Sequence, residues 1–247
     1  MEGLEYFYEL MRSLPRAGPG DNQSTRKAFS CMKNLPSEPL ILDIGCGPGK
    51  QTLELTKMTD GMIIALDNYQ PFLELLMQKA AQQGLERRIQ PKNQSMLEMD
   101  FKNNTFDVIW SEGALYIMGF QNGLKRCHQL LKKNGYLAVT EAVLLVPTIP
   151  KPLQHFWDEM YPDIKDIESN IALIKNVGFE LLAHFTLPKS SWIDPYYSPM
   201  EKRIHELKKK YHDNNSALHV FEECEKEIRI FNTYSDYFGY EFFIMQK

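Results

Sequence analysis

The 247-residue chain is poor in the features that mark several protein classes. Its four cysteines, Cys31, Cys46, Cys127 and Cys224, are scattered with no Cys-x-x-Cys pair. That removes the usual signatures of structural zinc and of a disulfide framework, and suggests reduced thiols in a cytoplasmic protein. The six histidines show no spacing of the His-Glu-x-x-His kind, so no metal is expected. Long apolar runs are missing as well. The longest near the middle, Ala142–Pro147, is far below the roughly 20 residues a membrane span requires. The start, with Glu2 and Glu5, lacks the basic, then apolar character of a secretory leader. Positive charge is not in excess: the net charge is −4, and polyanion binding needs clustered Lys and Arg. Lys208-Lys209-Lys210 is interleaved with Glu201, Glu206 and Asp213, which reads as a solvated helix face. Nucleic acid and membrane are therefore not expected partners.

What is present is a rhythm of short apolar runs and longer helical patterns from Pro39 to Val146, the mark of βα units and a parallel sheet. Strands are expected over Leu40–Ile44, Met62–Leu66, Arg88–Lys92, Phe106–Trp110 and Tyr136–Leu145. Several are apolar on consecutive positions, as strands covered on both faces should be. Crossover helices are expected over Gln70–Gln83, with Pro71 in the first turn and Gly84 after the end, and over Gln121–Lys133. The rhythm breaks at Pro147, Pro150 and Pro152, followed by a helix, His155–Tyr161. It resumes with a helix Ile167–Asn176, a strand Phe179–Phe185, a helical excursion Pro199–Thr233 and a last strand Tyr240–Met245. The expectation is a single α/β domain with a Rossmann-like, seven-stranded, mostly parallel sheet and helices on both faces. An N-terminal helical lid occupies 1–35, the main domain 36–247, and cap insertions lie near 147–165 and 188–235. The second N-terminal helix should be capped by Asp21, Ser24 or Thr25.

The most informative stretch is Ile41-Leu42-Asp43-Ile44-Gly45-Cys46-Gly47-Pro48-Gly49, between a strand and a helix. Glycines there allow a sharp turn and a close ligand approach, at the carboxyl end of a parallel strand where open α/β sheets bind ligands. Glycine occupies the first, third and fifth positions, whereas the dinucleotide fingerprint requires the first, third and sixth; here the sixth is Lys50. That spacing argues against NAD(P) and an oxidoreductase. Asp67 and Asn68 close the second strand about 20 residues on, where an acid can accept hydrogen bonds from both hydroxyls of a ribose. The plainer alternative is a solvated Asp in a βα turn.

The run Leu42–Gly49 resembles the first motif of class I S-adenosylmethionine-dependent methyltransferases. The turn Leu130–Leu137 also resembles theirs into strand five. The core is similar to that of ubiquinone and menaquinone methyltransferases. Leu14–Gly20, Trp110–Tyr116 and Trp192–Tyr197 look like a subgroup of prokaryotic small-molecule methyltransferases. The resemblance implies S-adenosylmethionine as cofactor and S-adenosylhomocysteine as product. It places Asp43, Gly45, Cys46, Gly47, Gln51 and Ser111 with the glycine-loop end of the cofactor site, Asp67 and Asn68 at the ribose, and Ser95 and Met96 at the adenine. Ser95 departs from the family's frequent Asp.

Methyl transfer needs an acceptor lone pair held opposite the sulfur and, for a protonated acceptor, a base. Glu112 and Tyr116 after the fourth strand and Glu141 in the fifth are the catalytic candidates; an ionised Glu141 among apolar neighbours would be costly without a partner. The plainer alternatives are that Glu112 hydrogen-bonds a loop backbone and that Glu141 pairs with a structural Arg. Trp157, Tyr161, Trp192, Tyr196 and Tyr197 are candidates for a cap wall around a cationic or flat heteroaromatic small-molecule acceptor, or else ordinary core. The Pro15–Gly20 loop would close over the cofactor, or simply turn between helices. A non-catalytic cofactor-binding or scaffold protein remains a second reading, and a homodimer is compatible with the chain.

Overall fold

The computed structural model of the chain describes residues 3–247, so the first two positions of the expected lid lie outside the described residues. Two helices, α1 (Leu4–Arg12) and α2 (Asn22–Ser30), precede an alternating run. It comprises β1 (Leu40–Ile44), α3 (Lys50–Leu55), β2 (Met62–Asp67), α4 (Gln70–Gln82), β3 (Ile89–Asn93), β4 (Phe106–Glu112), α5 (Phe120–Leu130) and β5 (Leu131–Leu144). Then come α6 (Lys151–Met160), the short β6 (Lys165–Asp166), α7 (Ile167–Val177), β7 (Glu180–Thr186) and α8 (Ser190–Trp192). A π-helical turn, Ile193–Tyr197, leads into α9 (Ser198–Lys210), followed by α10 (Asn215–Tyr234) and β8 (Phe238–Gln246).

The strands form one sheet in the order β3-β2-β1-β4-β5-β8-β7, and β6 adds two residues beside the end of β5. The seven expected strands are the main path. β1 to β6 run parallel, while β8 lies antiparallel between β5 and β7. The chain moves outward from β1 to β3 and then returns to place β4 on β1's other side. This reversal opens a crevice beyond the carboxyl ends of β1 and β4, the usual ligand position in such sheets.

Burial on both faces explains the consecutive apolar residues of the central strands. On one face Leu42, Ile109, Leu137 and Phe243 pack under Leu124 of α5 and Ile174 of α7. On the other, Ile41, Trp110, Ala138 and Phe242 form a layer with Ala28 of α2. Each of the leucine, isoleucine and phenylalanine side chains among them contributes about 1.5–3 kcal/mol on burial. A third cluster unites α1, α6, α9 and α10 through Leu10, Trp157, Ile204, Phe221 and Phe231. Its presence lets α1 and the two cap regions share one core.

Local chemistry sets the boundaries. Asp21 caps α2 by accepting from Ser24 N at 2.7 Å. Helix α5 stops at Leu130, earlier than the expected Lys133, because Leu131 is extended, fully buried and paired with Phe106. The expected excursion over Pro199–Thr233 is two helices. They separate because Asn214 is extended, with its side chain accepting from Ala217 N at 2.9 Å, which is the start of a new helix.

Replacing Asn214 by alanine should lower stability by about 1 kcal/mol, whereas Asn214→Asp should stay close to the parent, since both polar side chains cap well. Urea unfolding followed by circular dichroism measures both changes.

Candidate functional site

The glycine loop after β1 is bent in a way only its composition allows. Gly45 has φ +69°, and a Cβ there would sit 2.4 Å from Ala114 Cβ, so even alanine would clash. Gly47 has φ +53°, and its N–H donates to Asp67 Oδ2 at 2.9 Å. The second Asp67 oxygen accepts from Tyr69 N at 2.9 Å. A carboxylate has room for about four hydrogen bonds, so two backbone donors leave capacity for a ligand diol. Burial pushes the Asp67 carboxyl up, while these backbone donors pull it down.

Loop and carboxylate border a cavity of about 270 Å³. Gly45, Cys46, Gly47, Gln51, Asp67, Asn68, Ser95, Met96, Glu112 and Tyr116 all line it, gathering ten of the sequence-predicted residues. Two others do not reach it, which corrects their expected placement. Asp43 is fully buried behind the loop, where Thr52 Oγ1 donates to it at 2.6 Å and Gln51 Nε2 at 3.4 Å. Burial pushes its carboxyl up to about 7. Ser111 is fully buried and donates to Ile44 O at 3.0 Å. Both brace the loop from beneath.

The N-terminal segment supplies the remaining wall, through Phe7, Tyr8 and Met11 of α1 and Arg16–Pro19 after it. Tyr8 stacks on Tyr69 with ring centres 3.8 Å apart and planes at 9°. Arg16 Nη1 pairs with Glu112 Oε2 at 2.7 Å, both side chains almost wholly buried. Glu112 Oε1 also accepts from Thr25 Oγ1 at 2.8 Å and Trp110 Nε1 at 2.9 Å. Glu112 thus anchors the segment from the edge of the cavity through the side chains of Arg16, Thr25 and Trp110, where the plainer alternative expected a loop backbone. Arg16 was not singled out in the sequence because its partner lies 96 residues away.

A second cavity of about 120 Å³ adjoins the cap helices. Trp157, Tyr161, Trp192 and Tyr197 line it as expected, together with Phe156, Phe238, Tyr240 and Glu227. Tyr196 is corrected to the core: it is buried against Tyr197, with ring centres 5.1 Å apart, and does not line the cavity. Tyr116 borders both cavities and links them. Glu227 accepts from Tyr197 Oη at 2.8 Å, and burial pushes its carboxyl up. A signal for it existed: Cys224, Glu227, Ile228 and Phe231 share one helical face by spacing, three of them buried hydrophobics.

Glu141 lines neither cavity, a correction to its expected position in the cleft. It lies opposite Glu241 across the β5–β8 ladder. Glu241 is satisfied by His184 Nδ1 at 2.6 Å and by Thr186 Oγ1 at 2.6 Å. Glu141 hydrogen-bonds to Tyr161, and its Oε2 has no partner. Burial pushes it up to about 8, which leaves it protonated at neutral pH and relieves the like-charge pairing. Among the described residues no cluster of His, Cys, Asp and Glu could hold a metal ion, and no helix is long and apolar enough to cross a membrane.

These features coincide with what comparison shows. Residues 41–135 match the family described as methyltransferase domain. This region of the chain is similar to a methyltransferase domain. Demethylmenaquinone methyltransferase of Lactiplantibacillus plantarum is 34% identical over 147 residues, 58% of this chain and 62% of that protein. Sterol 24-C-methyltransferase of Aspergillus fumigatus is 26% identical over 168 residues, 65% of this chain and 45% of that protein. The chain thus spans about half the length of the sterol methyltransferases it matches. In fold it is similar to a methyltransferase of Geobacter sulfurreducens solved with S-adenosylhomocysteine, at a TM-score of 0.84, 14% identity, and 98% and 97% coverage. YjhP of E. coli gives 0.85 at 16% identity, with 98% of each chain covered.

Arg16→Ala should cost about 3–5 kcal/mol in urea unfolding, because it leaves Glu112 buried without its counter-charge. Folded Glu141 keeps its proton up to about 8, against 4.5 ordinarily. Its stabilising contribution is therefore complete below pH 4.5 and is lost as pH rises through 8. Glu141→Gln should remove this part of the decline, so the variant gains on the parent between pH 5 and pH 9. Parallel urea midpoints at the two pH values test it; equal slopes would mean that Glu141 folds ionised.

Proposed function

We propose that the protein transfers a methyl group from S-adenosylmethionine to a small-molecule acceptor, leaving S-adenosylhomocysteine. The observation that carries this reading is the Asp67 carboxylate at the end of β2, bonded to the glycine loop and facing the 270 Å³ cavity. When bound, S-adenosylmethionine supplies an electrophilic methyl carbon on a sulfonium. Asp67, with Asn68 beside it, would hold the ribose hydroxyls. Ser95 and Met96 would flank the adenine, and the backbone of Gly45–Gly47 with Gln51 would receive the methionine portion. Asp43 and Ser111 keep the loop in shape for that task.

The segment within residues 1–35 acts as the lid. Its aromatic and Arg16-anchored wall keeps water from a reactive methyl group. The cap regions near 147–165 and 188–235 hold the acceptor at the carboxyl end of the sheet, with Tyr116 at the junction of the cavities. Glu141 serves as a positioning residue through Tyr161, which itself lines the acceptor cavity. The methyltransferase names of the relatives and the S-adenosylhomocysteine in the similar structure support the assignment.

Calorimetric titration with S-adenosylhomocysteine should show binding, with no comparable binding of NADH. Asp67→Ala should weaken the affinity by about 1–3 kcal/mol, the worth of hydrogen bonds to a charged acceptor. An unchanged affinity would remove the ribose role.

A further inference from the structure

The smaller cavity has an unusual combination of walls. Trp157, Trp192, Tyr197, Phe238 and Tyr240 surround it, with Glu227 as its carboxylate. The rings form a continuous set: Trp192 meets Tyr240 at 4.7 Å and Tyr197 at 6.0 Å, and Trp157 meets Phe238 at 5.1 Å between centres. Among the described residues lining it there is no Lys, Arg or His. Aromatic faces carry negative quadrupole potential and attract a desolvated cation, and a carboxylate among them adds charge of the same sense. An acceptor offering phosphate or carboxylate to this pocket would meet the Glu227 carboxylate and no cationic side chain to offset its desolvation.

Size narrows the choice further. The cavity measures about 120 Å³, and a protein cavity of about 150 Å³ is filled by one benzene. A head group of a few carbon atoms around a nitrogen matches that space.

From the aromatic enclosure, the single carboxylate and the volume, we infer that this pocket binds a compact aliphatic amine as its ammonium ion and presents its nitrogen for methylation. The inference rests on the methyl-transfer reading above and names the acceptor class. Tyr116, shared by both cavities, marks where nitrogen and methyl carbon would meet. For an acceptor that arrives protonated, the proton passes first to the Glu227 carboxylate. The freed lone pair then forms the nitrogen–carbon bond as the carbon–sulfur bond breaks. The pair from the broken bond remains on sulfur as a neutral thioether, and the positive charge ends on the methylated nitrogen within the cage. Tyr197, which donates to Glu227 at 2.8 Å, holds that carboxylate in the pocket wall.

The experiment compares choline with its neutral isostere 3,3-dimethylbutan-1-ol, which differs only in carbon for the charged nitrogen. Both are titrated into the full chain with and without saturating S-adenosylhomocysteine. Binding is read by calorimetry and by quenching of Trp157 and Trp192 fluorescence. Choline should bind at least tenfold more tightly than the isostere. Glu227→Gln should reduce that preference severalfold while S-adenosylhomocysteine affinity stays unchanged, which also shows that the variant is folded. Equal binding of the two probes, binding of neither at millimolar concentration, unchanged preference in Glu227→Gln, or stronger displacement by the flat neutral diol menadiol would each overturn the inference. Failure of the methyl-transfer reading looks different: S-adenosylhomocysteine would not bind, yet choline selectivity would persist in its absence.

Discussion

The hydrogen bond from Gly47 N–H to the Asp67 carboxylate is the contact on which the site depends. It joins the turn after β1 to the end of β2, two neighbouring parallel strands whose register is fixed along five pairs from Leu40 to Ile44. The sheet therefore decides where the carboxylate stands, and the carboxylate decides how the turn closes. Gly45 must have no side chain because Ala114, beyond β4, packs into the space a Cβ would need. Asp43 and Thr52 hold the same turn from below. Three strand ends thus converge on a few backbone atoms, and the cavity is what their packing leaves open.

A rigid floor alone would be an open crevice. The N-terminal segment adds a wall to it by a different means, a buried ion pair reaching from Arg16 to Glu112 at the end of β4. Glu54 on α3, itself buried, adds a second hold, accepting from Asn22 and from the exposed Arg26 of α2 at 2.7 Å each. Two buried acids on the central domain thereby hold the helical segment by charge, while α1 adds apolar packing against the cap helices. Such pairs contribute orientation more than net stability, because desolvation offsets much of their attraction.

Much of this was legible in the sequence, and the reasons differ by residue. Gly45, Gly47, Asp67, Asn68, Ser95 and Met96 follow strands, and the end of a parallel strand fixes a residue's address before any tertiary detail is known. Asp43 misled because it lies one residue inside that end, where the side chain faces a buried layer instead of the crevice. Glu141 misled for a related reason: strand alternation sends it to the face opposite Ala142, which does line the aromatic pocket. Arg16 was out of reach, since its role arises from a contact spanning 96 residues, whereas Glu227 left its trace in the helical spacing of an otherwise apolar face of α10. The cap aromatics were recognised as a group, but only the folding of α6 and α10 onto β8 separates Trp192 and Tyr197, at the pocket, from Tyr196 in the core.

The placement of β8 affects how the protein can be made. Among the described residues β7 hydrogen-bonds to no strand except β8, and β8 to β7 and β5. On the ribosome, β7 must therefore wait through about fifty further residues, including α9 and α10, before Phe238–Gln246 emerges to connect it. During that interval the long β5 is an uncovered edge open to pairing with other chains, a hazard built into any sheet whose interior is finished last.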